Sequence, residues 1–177
     1  MLVLRPADVH EATVAWKMAL ENDHSPTGLI LSRQNIKDLP ATTSRFQEAL
    51  SAEKGAYIVQ DEENYDVILL ASGSEVSTLV EGAALLREDG VKVRVVSVPS
   101  EGKFRTQPAE YQQMVLPSGK KKFGLTAGLP VTLEGLVGAD GAVWGMKSFG
   151  FSAPYTVLDE KLGYTAQNVF EQVKKII

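Results

Sequence analysis

Asp66-Val67-Ile68-Leu69-Leu70-Ala71-Ser72-Gly73-Ser74 is an unbroken apolar run that stops at a small, glycine-centred turn. A run without alternation marks a strand buried on both faces, as in parallel sheets covered by helices. Downstream, Val76, Leu79, Val80, Ala83 and Leu86 recur at helical spacing, and Gly90 sits where a helix ends in the left-handed conformation. Val91–Val98 then reads as a second strand, with Lys92 and Arg94 pointing away from Val91, Val93 and Val95. Strand, helix and parallel strand in this order define an α/β sheet.

Working upstream, Ala56-Tyr57-Ile58-Val59 is a short strand in a unit that starts near Glu53. Residues 40–52 are polar and rich in Thr and Ser, and read as a linker. In front of them, residues 1–39 give a strand end, a helix and a strand. Asp8 followed by Glu11 has the spacing of a capping box, and Val9, Ala12, Trp16, Ala19 and Leu20 form one apolar stripe. Asn22–Pro26 ends that helix. Thr27-Gly28-Leu29-Ile30-Leu31-Ser32-Arg33-Gln34-Asn35 follows, a buried strand over 28–32 that runs into a polar tip carrying Arg33. Too little sequence precedes it to build its sheet, so the expectation is a chain that begins inside a domain.

Toward the carboxyl terminus the pattern predicts a short helix over Ala109–Leu116 and strands over Lys122–Thr126 and Ala142–Phe149. A helix capped by Ser152 runs through Leu158 and Leu162 to Gly163. Thr165 caps the last helix, whose core face is Val169, Phe170, Val173 and Ile177. The expected fold class is α/β: an open, mostly parallel (mixed) sheet flanked by helices, preceded by a partial α/β segment.

The 177 residues are 44% hydrophobic and 23% charged, a globular composition with a net charge of −4 that argues against nucleic acid or an anionic membrane as partner. Cysteine is absent, which excludes disulfides and thiolate chemistry and is compatible with the cytoplasm. The apolar runs are shorter than a membrane span, and the amino terminus lacks a signal-peptide pattern.

Several local patterns imitate sites. Gly150-Phe151-Ser152-Ala153-Pro154 imitates a nucleophile elbow, but Pro154 replaces the last glycine and no histidine follows. Gly141–Ser148 imitates a phosphate loop, but Met146 precedes Lys147 where a glycine is needed. Lys120, Lys121 and Lys122 read as a solvated loop without interleaved aromatics. His10 and His24 have no metal-site spacing, and Ala139-Asp140-Gly141 with Asn168 mimics a magnesium-diphosphate motif whose first glycine is missing. Arg33 has two readings from the residues alone: a surface or interdomain ion pair, or capture of a phosphate or carboxylate at a strand's carboxyl end.

Taken in order, Leu4-Arg5-Pro6-Ala7-Asp8 with Glu11 and Trp16, Leu31-Ser32-Arg33-Gln34-Asn35, Gly73-Ser74-Glu75-Val76-Ser77, Val93-Arg94-Val95-Val96-Ser97 with Pro99-Ser100, and Phe149-Gly150 with Ser152-Ala153-Pro154-Tyr155 resemble the carboxyl-terminal third of transketolases. The resemblance implies ketol transfer between phosphorylated sugars in the pentose phosphate pathway, using thiamine diphosphate and a divalent cation such as magnesium. It implies a cytoplasmic homodimer whose upstream domains hold the coenzyme and metal. Residues 1–39 match the tail of the pyrimidine-binding domain, 40–52 a linker, and 53–177 the C-terminal domain. Arg33 matches the arginine that contacts the sugar phosphate; no catalytic, coenzyme-binding or metal-ligating residue falls within the chain. Glu101-Gly102, Lys147-Ser148 and Leu125–Gly128 depart from the family pattern.

Three expectations follow from this reading. The chain alone lacks the activity and binds no coenzyme. Residues 1–39 are looser than 53–177 or are held by another chain. The stripe on the first helix stays exposed. The alternatives are a free-standing module that senses a phosphorylated metabolite through Arg33, and the last domain of another thiamine-dependent enzyme.

Overall fold

The computed structural model describes all 177 residues. Its central strand is β4 (Val67–Ala71), every residue of which is buried. On one side β4 pairs in parallel with β5 (Val93–Ser97), and on the other with β6 (Lys121–Leu125). The remaining members are β3 (Tyr57–Gln60), antiparallel at the β5 edge, and β7 (Ala142–Trp144), parallel at the β6 edge. The order β3-β5-β4-β6-β7 is the mixed, mostly parallel sheet that the apolar run at 66–71 predicts.

Helices cover both faces. On one lie α3 (Glu75–Glu88) and α8 (Ala166–Val173), which bury Val76, Leu79, Ala83, Val169 and Val173 against Leu69, Val93 and Val95. Gly90 closes α3 at φ +80°, and the Val91 N–H reaches back to the Leu86 carbonyl, the terminal bond of a left-handed helix cap. On the other face α4 (Glu101–Arg105), α5 (Ala109–Val115) and α6 (Val131–Val137) supply Phe104, Val115 and Val137 to pack on Ile68, Leu70 and Val96.

This second layer also covers Arg94, which points away from Val93 and Val95 as the alternation predicts: Arg94 is 9% exposed, pairs with both Asp61 oxygens at 2.8 Å, donates to the Met114 carbonyl and lies over the Tyr65 ring. Lys122 is not on a solvated loop. β6 begins at Lys121, Lys122 is 7% exposed, and burial lowers the pKa of its ammonium.

Residues 1–39 contain β1 (Leu2–Leu4), α1 (Val9–Glu21) and β2 (Thr27–Leu29), with β1 and β2 forming a separate two-stranded parallel sheet. Their strand is shorter and more open than the sequence predicts: Ile30 and Leu31 are half exposed. The amino-terminal segment is packed against the rest of the chain. Leu4, Ala7, Val14, Ala15, Met18 and Leu39 join the same core cluster as Tyr57, Leu69 and Val95. The stretch read as a linker carries α2 (Arg45–Ala49) and a 3-10 turn over Leu50–Lys54, and α1 packs on both.

Two carboxyl-terminal details differ from the sequence reading. β7 stops at Trp144, which pairs with Leu125, the last residue of β6. Ser152 is exposed and caps nothing: α7 (Tyr155–Leu162) starts after Pro154, although it ends at Gly163 as predicted, with φ +79°.

The arginine tip and the carboxyl edge of the sheet

A buried polar network joins the first 39 residues to the main sheet. Asp8 caps α1 through the Glu11 N–H at 2.8 Å, and the Glu11 carboxylate accepts from the Ala7 N–H at 2.7 Å, a capping box displaced by one residue. Glu11 is fully buried. Its other oxygen accepts from Tyr57 and Ser97, both at 2.7 Å, and from Arg45 at 3.5 Å. Arg45 also donates to Asp8 at 2.5 Å and to the Tyr57 hydroxyl at 2.6 Å. Burial raises the Glu11 pKa against the pull of these donors, and it pushes the Tyr57 phenol up, so that Tyr57 stays a proton donor.

A second clamp lies at Arg5. Its guanidinium donates to the Ser72 carbonyl at 2.6 Å and to Glu75 at 2.9 Å, while its backbone bonds Pro99 and Gly73. Any side chain at Gly73, where φ is +65°, would strike the Arg5 guanidinium. Sequence reading missed Arg45, Tyr57, Ser97 and Glu75 in these roles. The Asp8–Glu11 spacing is the one local signal, and nothing near it points to Ser97, which lies 86 positions away.

These clamps position the tip. The last rung of the small sheet is Ile30 N–H to the Leu4 carbonyl at 2.9 Å, and the Leu39 N–H donates to Asp8 at 3.1 Å. The intervening loop is therefore pinned at both ends, and Ser32 turns it by donating to the Gln34 carbonyl at 3.2 Å. Arg33 stands in solvent and takes no part in the chain's ion pairs. The five donors of its planar guanidinium are thus available for a carboxylate or a phosphate. The flanking Gln34–Lys37 line a polar cleft of about 240 Å³ whose far wall includes Glu75, Asp159 and Tyr164. Burial, with Glu75 and Glu160 beside it, raises the Asp159 pKa, and burial with Glu75 pushes Tyr164 up to about 12. Tyr164 therefore remains a donor, to the Thr126 carbonyl at 2.9 Å.

The remaining sequence candidates are structural. Asn168 holds the Gly163 carbonyl at 2.7 Å and accepts from Gln172, so it is not paired with Asp140 around a cation. No group of three or more His, Cys, Asp or Glu is arranged to hold a metal. His10 lies 3.5 Å from Asp38, and His24 is exposed beside Asp23. The residues present therefore do not fit a metal-bound diphosphate.

Fold and clamps together define an α/β module with a short βαβ piece of a second sheet fastened to its edge, and with one arginine displayed at the tip of that piece. A model of the transketolase-like C-terminal domain matches residues 55–165. The chain belongs to the transketolase family, in which it corresponds to the carboxyl-terminal part. It is 42% identical over 178 aligned positions to the transketolase of Staphylococcus epidermidis, a match that covers 99% of this chain and 27% of that protein. A transketolase structure from Leishmania mexicana superposes with a TM-score of 0.88 at 38% identity, covering 98% of this chain and 25% of the other. One from Campylobacter jejuni gives 0.86 at 30% identity, with coverage of 98% and 26%. The chain thus spans about a quarter of the length of the relatives it matches.

Proposed function

We propose that the chain acts as the carboxyl-terminal part of a transketolase, and that Arg33 grips the phosphate of the sugar substrate. The intact enzyme transfers a two-carbon ketol unit between phosphorylated sugars, in the cytoplasm and as a homodimer. Thiamine diphosphate with a divalent cation is held by its upstream domains; within this chain no group of three or more His, Cys, Asp or Glu is arranged to hold the metal. The division into residues 1–39 as the end of a pyrimidine-binding domain, 40–52 as connector and 53–177 as C-terminal domain belongs to the same proposal.

One observation carries this reading. In a chain matched nearly end to end by transketolases, the arginine at the strand tip is the one that has no carboxylate of its own. Arg5, Arg45, Arg87, Arg94 and Arg105 are each paired within the fold. A displayed, unpaired guanidinium on a pinned loop suits a phosphate monoester better than a structural role.

The test is a chimera in which this chain replaces the matching part of the Staphylococcus epidermidis enzyme. It is expected to turn over pentose phosphates with thiamine diphosphate and magnesium, while the 177-residue chain under the same conditions shows no turnover. Activity of the chain by itself would refute the assignment of coenzyme binding to other domains. An inert but folded chimera would refute the assignment to this enzyme.

A further inference from the structure

The parallel strands β4, β5 and β6 end side by side at a cavity of about 670 Å³, closed on one side by the segment Met1–Arg5. Ligands of open α/β sheets bind outside the carboxyl ends of the strands, in pockets of roughly 300–1,000 Å³. The wall is largely apolar, with Ile30, Val98, Pro99, Ala127 and Leu133 among its residues.

Seven of its side chains are polar or charged, and most of these are engaged elsewhere. Arg5 is committed to Ser72 and Glu75 through both terminal nitrogens, and Glu101 is held by Arg105 at 2.7 Å. Thr126 accepts from the Gly128 N–H. Ser72 accepts from Arg5 and Thr132 donates to the Leu129 carbonyl, so that two of the side chains are left over. Ser100, 4% exposed, lines the cavity, and its hydroxyl makes no hydrogen bond within the chain, not even as cap of α4. Lys103 is exposed at the cavity and joins no ion pair.

We infer that this cavity binds a small monocarboxylate with an apolar body, its carboxylate held by the Lys103 ammonium and the Ser100 hydroxyl. One ammonium balances one negative charge. A phosphate monoester carries about −1.5 to −2 at neutral pH and calls for a guanidinium fork or several N–H donors, which the free groups here do not supply. The apolar wall in turn favours a hydrocarbon body over a sugar, whose hydroxyls would lose water without finding partners. Gly102 adds a handle. A Cβ there meets nothing within 4 Å, so the fold tolerates a larger residue at the cavity.

The experiment titrates 4-phenylbutyrate onto the ¹⁵N-labelled chain and follows backbone amide shifts, with 4-phenylbutanol and inorganic phosphate in parallel. Saturable shifts are expected at Ser100, Lys103, Ala127 and Leu133, with the alcohol bound about tenfold more weakly than the acid. Lys103→Gln should weaken the acid by about tenfold and leave the alcohol unchanged, because the lost contact is the charged one. Gly102→Leu should weaken both without disturbing amides elsewhere. The inference is overturned by failure to saturate, by equal affinity for acid and alcohol, by an unaltered Lys103→Gln variant, or by phosphate shifting the same amides more strongly.

Discussion

Glu11 shows how a single side chain holds two parts of the molecule together. It is fully buried, yet it accepts hydrogen bonds from a backbone N–H, a phenol, a serine hydroxyl and a guanidinium. Removing the phenol leaves both Glu11 and Arg45 short of a partner, and a buried polar group left unpaired costs about 1–3 kcal/mol. Tyr57→Phe should therefore lower the unfolding free energy by about that amount in urea denaturation; unchanged stability would contradict the network. Glu62 carries a pH dependence of definite sign. Burial opposes its ionisation, but the Arg87 guanidinium and the Val93 N–H outweigh burial and lower its pKa. A carboxylate lowered in the folded state stabilises the fold above its ordinary pKa of about 4.3, and that contribution fades as pH falls through the folded value. The Tm deficit of Glu62→Gln should accordingly be constant near neutrality and shrink in acid. A deficit that grows in acid would reverse the sign. Glu11, with its pKa raised, works in the opposite direction: ionising it costs stability as pH rises out of the ordinary carboxylate range.

Among the elements, strand, helix and strand over residues 66–98 were legible because β4 has no polar residue and α3 keeps a clean apolar face. The orientation of α1 was not. Its stripe of Val9, Trp16 and Leu20 is 54–81% exposed, while Glu11, Val14, Ala15 and Met18 face inward. A hydrophobic pattern places an ionisable residue outside. Only the distant partners Tyr57 and Ser97 make Glu11 an inward group, and sequence spacing cannot see them. The outward stripe was nonetheless expected to stay exposed, and it does. Helix α4 escaped notice because five residues are too few to establish a period, and α6 was missed although α5, of the same length, was read. Of the tip, the arginine and its strand were readable; the pins at Leu4 and Asp8 that fix the loop were not. Two substitutions test the packing of these elements. Gly82→Ala would place a Cβ 2.6 Å from a methyl of the stiff, fully buried Val169 where α3 crosses α8. Overpacking costs about 1–3 kcal/mol and should override the 0.5–1 kcal/mol or so that alanine ordinarily gains over glycine in a helix. The expected result is a lower Tm; a higher one would show that the helices part freely. Leu20→Lys, by contrast, should change stability by less than about 0.5 kcal/mol, because that side chain covers nothing.

At the scale of the whole molecule, the amino-terminal piece and the main sheet share one core and two polar clamps. Amides of Val14 and Met18 should exchange hydrogen as slowly, within an order of magnitude or so, as those of Leu79 and Leu86, since all sit in one cooperative unit. Free exchange in α1 beside a protected α3 would show two independent parts. That unity gives Arg33 its meaning, because a guanidinium on a loop pinned at both ends is offered at a fixed place. The most direct measurement is steady-state kinetics of the chimeric transketolase carrying Arg33→Gln, with phosphorylated and unphosphorylated sugars compared side by side. The account predicts a KM raised about tenfold or more for the phosphorylated sugar and unchanged for the other, as loss of one charge-assisted fork requires. An equal change for both sugars, or no change for either, would contradict it.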